Sequence, residues 1–403
     1  MPLSRCIIPP DTADLETHVD FHLPEELDDL RRSVEAFARD RLAPGALARA
    51  HAADYPWDVA KEMGAQGLLG LTIPEDKGGQ GGSLLAAITA IQAVATGCPR
   101  SADVVQAGNF GAIRTFAEYA TPAQRDRYLR PLLAGETLIG LGMTEPEAGS
   151  AVTDLKTTAT PRGDGYSITG TKVFSTNSAE ATVFLVYVRY GPGVGGIGSV
   201  LVDRDTPGLT IGTPSEFTNG EKWCQLYFDD CVVPSDQVLL GPGGFKRQIG
   251  GFNVERLGNA ARSIAVGRYA FDQAVEHVKT RHQFGRPLAE FQGLQWMFAE
   301  AAVRLESAQL LLHRAAANGD ENGLPSAFDT AVAKFAANEA GFGAADVAVQ
   351  AMGATGFSKE SLVEYCFRRT RGWKIAGGST EILKNRIAES VFDRRFDQRG
   401  AAR

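Results

Sequence analysis

Positive charge is in short supply: 41 Lys and Arg stand against 48 Asp and Glu, a formal net charge of −7 over 403 residues. A groove that neutralises a run of phosphates needs the opposite balance. Nucleic acid is therefore excluded as a partner, and an anionic ligand has to be met by a few placed arginines or by backbone N–H groups. Long apolar runs are also missing. No stretch reaches the ~18 residues of a membrane-spanning helix, so no membrane span is expected. The first residues, MPLSRCIIPPD, have neither the apolar core of about 7–15 residues nor the small-residue cleavage site of a secretion signal.

Cysteine is scarce. Cys6, Cys98, Cys224, Cys231 and Cys366 are odd in number, widely spaced and without a C-x-x-C. That usage argues against a disulfide framework or a zinc site; no metal is expected, and the compartment reads as a reducing cytosol. Composition is otherwise that of a globular chain, 44% hydrophobic and 22% charged, which excludes a disordered protein. At about 100–200 residues per domain, the length suggests two to four domains or one large multilayered unit. Glycine is plentiful, at 45 residues.

Patterning divides the chain into three. From Leu23 to about Leu133 apolar residues recur at helical spacing, as in Leu30, Val34, Phe37 and Leu42. Further helices are expected at 57–68, 84–97, 104–119 and 122–133, the last opened by Thr121 and Pro122. From Glu136 to Leu240 short β-branched runs take over: Thr137–Met143, Gly165–Thr169, Thr182–Val188, Ser199–Val202, Leu209–Ile211 and Gln225–Phe228. Turn residues separate them, which predicts an antiparallel sandwich or barrel. Long helical patterns return at 245–280, 288–318, 326–353, 361–370 and 380–392, joined by short loops as in a helical bundle. The charged tail, Arg394–Arg403, reads as loose. The expected class is α+β: an N-terminal helical domain over 1–135, a middle antiparallel β domain over 136–244 and a C-terminal four-helix-bundle-like domain over 245–403. This is not the alternating order of a dinucleotide fold. The cluster Gly193-Val-Gly195-Gly196-Ile-Gly198 spells G-x-G-x-x-G, but a strand follows it where a helix is needed. It reads as a hairpin loop.

Four segments carry possible chemistry. Leu141-Gly-Met-Thr-Glu-Pro-Glu-Ala-Gly-Ser150 leaves a strand and ends in a small turn. Its N–H and hydroxyl donors suit a flat polar ring or a phosphate; an ordinary turn with a surface acidic pair reads equally well. Gly170-Thr-Lys-Val-Phe-Ser-Thr-Asn177 sets an aromatic beside hydroxyls, although a half-buried strand explains it alone. Arg281-His-Gln-Phe-Gly-Arg-Pro287, with Phe291-Gln292, sits at a corner between long helices. Arg281 there can grip a phosphate or simply face a helix C-terminus. Gln350-Ala-Met-Gly-Ala-Thr-Gly356 and Ile375-Ala-Gly-Gly-Ser-Thr-Glu381 have small residues that admit a ligand or merely cap helices.

In this order and on this layout the four segments resemble the acyl-CoA dehydrogenase family of flavoproteins, from about Leu23 to Phe392. The resemblance implies FAD between the β domain and the C-terminal helices, in a homotetramer or dimer. It implies an acyl-CoA or acyl-carrier-protein thioester as substrate, and an electron-transfer flavoprotein or another acceptor as partner. By matching segments, Leu141, Met143, Thr144, Gly149, Phe174 and Thr176 should surround the flavin, and Ser150 the FAD or CoA phosphates. Arg281, Phe284 and Gln292 should reach a neighbouring subunit's FAD, joined by Gln350 and Gly353, while Ser379 and Glu381 close the site. Phe174 stands where Trp is common in the family, Ala151 where Asp is, Ala354 where Gly is and Ser379 where Thr is.

The family's chemistry is α,β-desaturation of an acyl thioester. Many members carry the proton-abstracting Glu in a Y-E-G-T segment. Here Ala376-Gly377-Gly378-Ser379 occupies that place, and Gly377 cannot accept a proton. Phe252-Asn-Val-Glu255-Arg256-Leu257 resembles the alternative helical base of the isovaleryl-CoA and long-chain branch. Glu255 is therefore expected as base and Arg256 as its electrostatic support; a surface ion pair on a helix is the plainer reading, and Glu381 a rival carboxylate. Gly377 and Gly378 are expected at the thioester carbonyl, with room for a branched, cyclic or aromatic acyl group. An enoyl-thioester reductase, a carrier-protein-thioester oxidase and a non-catalytic FAD-binding subunit of a hetero-oligomer are the competing readings.

Overall fold

The structure is a computed structural model that describes residues 22–398. Cys6, the leader reading of residues 1–11 and the last five residues of the charged tail lie outside the described residues. His18 and His22 stand at the four-residue spacing of a helical metal pair, but His18 too lies outside them.

The N-terminal stretch folds into α1 (Glu25–Phe37), which runs through a π-turn to Leu42, then α2 (Ala46–His51), α3 (Trp57–Ala65), α4 (Leu84–Gly97), α5 (Ala102–Ala107), α6 (Ala112–Tyr119) and α7 (Pro122–Leu133). Ser83 caps α4 by accepting the Ala86 N–H. That helix is apolar on nearly every face and forms the centre of the N-terminal core. Thr121 and Gln124 close a capping box at the start of α7.

The single helix expected over 104–119 is two. The chain breaks at Gly108-Asn-Phe-Gly111, where Gly111 adopts φ +70° and a Cβ on Gly108 would stand 2.6 Å from Leu69. Close packing and a left-handed turn override the apolar period there.

The middle stretch forms β1 (Ile139–Gly142), β2 (Thr158–Arg162), β3 (Gly165–Thr176), β4 (Val183–Arg189), β5 (Ile197–Asp203), β6 (Leu209–Ile211), β7 (Ser215–Glu216), β8 (Lys222–Pro234) and β9 (Val238–Leu240). The main path runs β6-β8-β3-β2-β4-β5-β9. Most pairs are antiparallel, but β1 and β2 both meet β4 in parallel. The sheet is therefore mixed, a correction to the all-antiparallel expectation. Connections such as β1 to β4 span several elements, and turn signals in the sequence mark only adjacent hairpins. The Gly193–Gly198 cluster is the β4–β5 hairpin, as its context required.

The C-terminal stretch begins with α8 (Phe245–Thr280), the helix expected at 245–280. A small hairpin, β10 (His282–Gln283) with β11 (Arg286–Pro287), turns the chain into α9 (Gln292–Asn322). Then come α10 (Ala327–Met352), α11 (Ala354–Phe357), α12 (Leu362–Trp373) and α13 (Thr380–Val391). Two glycines let α8 and α10 touch backbone to backbone. A Cβ on Gly341 would lie 2.1 Å from the Ser263 carbonyl oxygen, and one on Gly267 2.6 Å from Gly341 Cα.

Buried charges tie the three stretches together. Asp103 on α5 pairs with Arg262 on α8 at 2.8 Å and Arg369 on α12 at 2.9 Å, and Arg369 also reaches Glu221 before β8 at 2.5 Å.

Candidate active site

Glu255 lies nearly three turns into α8, in the half that crosses the α5–α6 break. It is half-buried, and a Cβ on Gly111 would stand 3.5 Å from its Cδ and 3.7 Å from both oxygens. The helix break therefore opens a side-chain-free gap beside the carboxyl. Burial pushes the Glu255 carboxyl above its ordinary range, while Arg262, Lys334 and Arg256 and a hydrogen bond with Asn259 pull it back without reversing the shift. Glu255 is thus no surface partner of Arg256. Arg256 is itself buried; its guanidinium donates to Asn253 Oδ1 at 3.0 Å and to the Gly377 carbonyl at 3.2 Å.

The segment after α12 faces this cluster. Gly377 and Gly378 adopt φ +70° and +96°, conformations that a side chain resists. A Cβ on Gly377 would also lie 2.5 Å from Asn259 Nδ2. Position 377 therefore disfavours a carboxylate: its φ strains any side chain, and Asn259 would have to shift. Beneath the loop, Lys334 of α10 is wholly buried, and its ammonium donates to the carbonyls of Trp373, Ala376 and Gly378 at 3.2, 2.8 and 2.9 Å. Burial brings its pKa down to about 7.

A second group of expected residues gathers on the sheet. Leu141 lies in β1, and its carbonyl accepts from Ser175 Oγ at 3.0 Å. The Thr144 carbonyl accepts from the Val173 N–H at 2.9 Å, which sets the loop after β1 beside Phe174 and Thr176 on β3. A bulge between Lys172 and Ser175 turns Phe174 (φ +56°) outward, where it is 54% exposed. It does not stand alone: Trp223 and Phe217 pack at centroid distances of 4.5 and 6.2 Å, forming an aromatic shelf. Met143 is half-buried, and Gly149 and Ser150 are open, with nothing within 4 Å of a Cβ on Gly149. Glu145 is not the surface residue that an acidic turn suggests. It is buried, pairs with buried Lys172 at 2.8 Å, and accepts the N–H groups of Lys156 and Thr157, so it nails the loop down.

Family models for the acyl-CoA dehydrogenase N-terminal, middle and C-terminal domains match residues 24–136, 140–231 and 242–392. A 3-sulfinopropanoyl-CoA desulfinase of Paraburkholderia xenovorans is 34% identical over 95% of this chain and all of that protein. This chain belongs to the acyl-CoA dehydrogenase family. A short-chain-specific acyl-CoA dehydrogenase of Clostridium acetobutylicum is 31% identical over 93% of this chain and all of its own. The structure of a glutaryl-CoA dehydrogenase with glutaryl-CoA superposes with a TM-score of 0.89 at 31% identity, covering 95% of this chain and 99% of that one.

Members of the acyl-CoA dehydrogenase family are flavin-dependent oxidoreductases, and the residues here fit such a ring. The half-open Phe174 shelf lies beside the Thr144 and Thr176 hydroxyls, and neither hydroxyl has a partner among the described residues. Ser379 caps α13 and accepts the Ile382 N–H at 3.5 Å. Glu381 is exposed in the same first turn, where backbone and Ser379 hydrogen bonds lower its pKa; it does not join the Glu255 cluster.

The remaining expected residues are spread over two exposed corners. Arg281 ends α8, Phe284 (φ +52°, 93% exposed) tops the β10–β11 hairpin, and Gln292 opens α9. Gln350 and Gly353 lie at the end of α10. Among the described residues no hydrogen bond or ring contact joins either corner to the Glu255 cluster within this chain. Reading the sequence did not find Lys334, Asn259, Arg262, Lys172, Glu145, Trp223 or Phe217. The partners of Lys334, Lys172 and Glu145 are distant in sequence, and only the charge of Lys334 on an otherwise apolar run marked any of these residues.

Proposed function

We propose that this chain is an FAD-dependent dehydrogenase of acyl thioesters in which Glu255 removes the α-proton. One observation carries the reading: a half-buried carboxylate of raised pKa faces the Gly111 gap, while position 377, the usual place for the base, is a glycine whose φ of +70° disfavours a side chain. A base in a water-poor pocket with a pKa lifted toward neutrality suits abstraction of a weakly acidic proton. The Gly377 and Gly378 N–H groups have no partner among the described residues. Pointed at the thioester carbonyl, they stabilise the charge that develops on its oxygen as the α-proton leaves. The C–H electron pair becomes the new double bond, the proton stays on Glu255, and FAD, when bound, accepts the β-hydride. Arg256 and Arg262 keep the Glu255 carboxylate within reach of deprotonation.

In this reading Leu141, Met143, Thr144, Gly149, Phe174 and Thr176 hold the flavin ring, and Ser150 the phosphates. Ser379 and Glu381 close the site. The exposed corners, Arg281, Phe284 and Gln292 with Gln350 and Gly353, serve the FAD of a neighbouring copy in a homotetramer. An electron-transfer flavoprotein takes the electrons. The domains divide at 135 and 244, supported by α7 ending at Leu133, β1 beginning at Ile139 and α8 beginning at Phe245. Four free buried thiols support a reducing, cytoplasmic setting. No helix among the described residues is long and apolar enough to cross a membrane.

The experiment is anaerobic titration of the yellow holoenzyme with straight, branched and aromatic acyl-CoAs. Bleaching of the flavin by one class supports the reading; no bleaching by any overturns it. The desulfinase relatives favour a second reading, loss of a β-sulfinate group from the thioester. Sulfite release from 3-sulfinopropanoyl-CoA without bleaching would decide for it.

A further inference from the structure

Lys334 is an expensive residue for the centre of α10. It is wholly buried, and taking an ammonium out of water is unfavourable unless every donor is used. No carboxylate lies within ion-pair reach of it among the described residues. Among the described residues all its hydrogen bonds go to one short loop, at Trp373, Ala376 and Gly378. Asn338, one turn on, reinforces the same loop through the Trp373 carbonyl at 2.9 Å. The carbonyl between the two, that of Gly377, is held by Arg256 Nε at 3.2 Å. Three successive carbonyls are thus held by two cations.

The consequence follows from peptide geometry. These bonds are trans, and a trans peptide is planar with its N–H opposite its C=O. Holding the Ala376 carbonyl turns the Gly377 N–H away from Lys334. Holding the Gly377 carbonyl turns the Gly378 N–H away from Arg256. Holding the Gly378 carbonyl turns the Ser379 N–H away from Lys334. None of these three N–H groups donates to another group among the described residues. Oriented, unspent donors on a loop that packs against Asn259, the hydrogen-bond partner of Glu255, are what an enolate-like oxygen requires.

We propose that Lys334 is a positioning residue of this active site: by gripping the Ala376 and Gly378 carbonyls it aims the Gly377 N–H at the carbonyl oxygen of a bound acyl thioester. The proposal rests on the dehydrogenase reading above. Lys334 touches no substrate; it acts through the peptide plane. Its charge also stands among the three cations that temper Glu255, so its removal weakens both the acidification of the α-proton and the ionisation of the base.

The test uses the flavin-loaded protein with Lys334→Met and Lys334→Gln, the second retaining two N–H donors without the charge. Three quantities are read with the acyl-CoA that bleaches the wild type fastest. These are solvent-deuterium incorporation at the α-carbon by mass spectrometry, the Kd for the acyl-CoA, and the flavin content per chain. The expected result for Lys334→Met is a fall of about 10²-fold in deuterium incorporation and in kcat, the scale of losing one oxyanion donor. Kd changes by less than tenfold and flavin content stays at the wild-type level. Lys334→Gln falls between the two. Wild-type deuterium incorporation in either flavin-loaded variant overturns the proposal. Loss of flavin or of the fold in both variants also overturns it, because Lys334 is then structural. A wild type that neither bleaches nor incorporates deuterium sinks the dehydrogenase reading itself.

Discussion

Gly111 and Glu255 face each other across the gap between α6 and α8, with the place for a Gly111 Cβ only 3.5 Å from the Glu255 carboxyl carbon. The N-terminal helices therefore form one wall of the site. Gly111→Ala should strain the φ +70° backbone by about 1–3 kcal/mol and crowd the carboxyl. We expect a lower melting temperature, flavin retained, and kcat reduced more than KM rises. Unchanged turnover would show that the gap is not on the substrate's path.

Glu255→Gln should abolish turnover, a loss of about 10²–10⁴-fold or more for a general base, while the flavin remains bound. Substantial activity would remove Glu255 from its role. In the wild type, kcat/KM should rise with pH through a limb that lies above 4.5, the ordinary glutamate value, because burial raises this group. The same shift has a stability consequence. The folded protein holds this proton more tightly than the unfolded chain, so stability falls as pH rises from 4.5 through the raised pKa. The melting temperature of Glu255→Gln should therefore pull ahead of the wild type across that window, and thermal melts at stepped pH will show it.

Transplanting the base should fail. Gly377→Glu in a Glu255→Gln background puts a carboxylate at the family's commoner position, but its Cβ meets Asn259 Nδ2 at 2.5 Å on a φ of +70°. We expect no recovery of flavin bleaching and a loss of stability. Recovery of activity would show that the loop adjusts freely.

Lys172→Met should strand Glu145 as a buried charge held only by N–H groups and a hydroxyl. Breaking such a pair from one side costs about 3–5 kcal/mol. Because the pair nails down the loop carrying Thr144, flavin should dissociate more readily on dilution or dialysis. A variant of wild-type stability and flavin retention would show the pair to be incidental.

Phe174→Ala removes the exposed edge of the shelf made with Trp223 and Phe217. Flavin affinity should fall with little change in melting temperature of the flavin-free protein, since the ring is more than half exposed. Equal flavin content after gel filtration would count against the shelf as the ring's seat.

Elements whose cause is local were legible in the sequence. Thr121-Pro122 opens α7, α8 spans the residues its period marks, and the Gly193–Gly198 loop is a hairpin because a strand follows it. The split at Gly108–Gly111 was not, because its cause is Leu69, some forty residues away in the packing rather than the period. The mixed sheet was missed for the same reason. At the site, Glu255 could be picked out by its neighbours in sequence. Lys334 could not: a hydrogen bond from position 334 to 376 leaves no trace in any local pattern, and Asn259 and Arg262, although on the Glu255 helix, are set by the distant Gly377 loop and Asp103.

The backbone contact of Gly341 with Ser263 and Gly267 bears on motion. Helices that meet without side chains between them have nothing to slide on, so α8 and α10 move as one piece. Glu255 rides on the first and Lys334 on the second; their separation is set when the protein folds and is insensitive to what enters the cleft. If the site tightens around a substrate, the moving part is the wall that carries Gly111 or the sheet that carries Phe174. Deuterium exchange of backbone amides should then slow on ligand binding around residues 108–115 and 172–177, and stay constant along the α8–α10 seam.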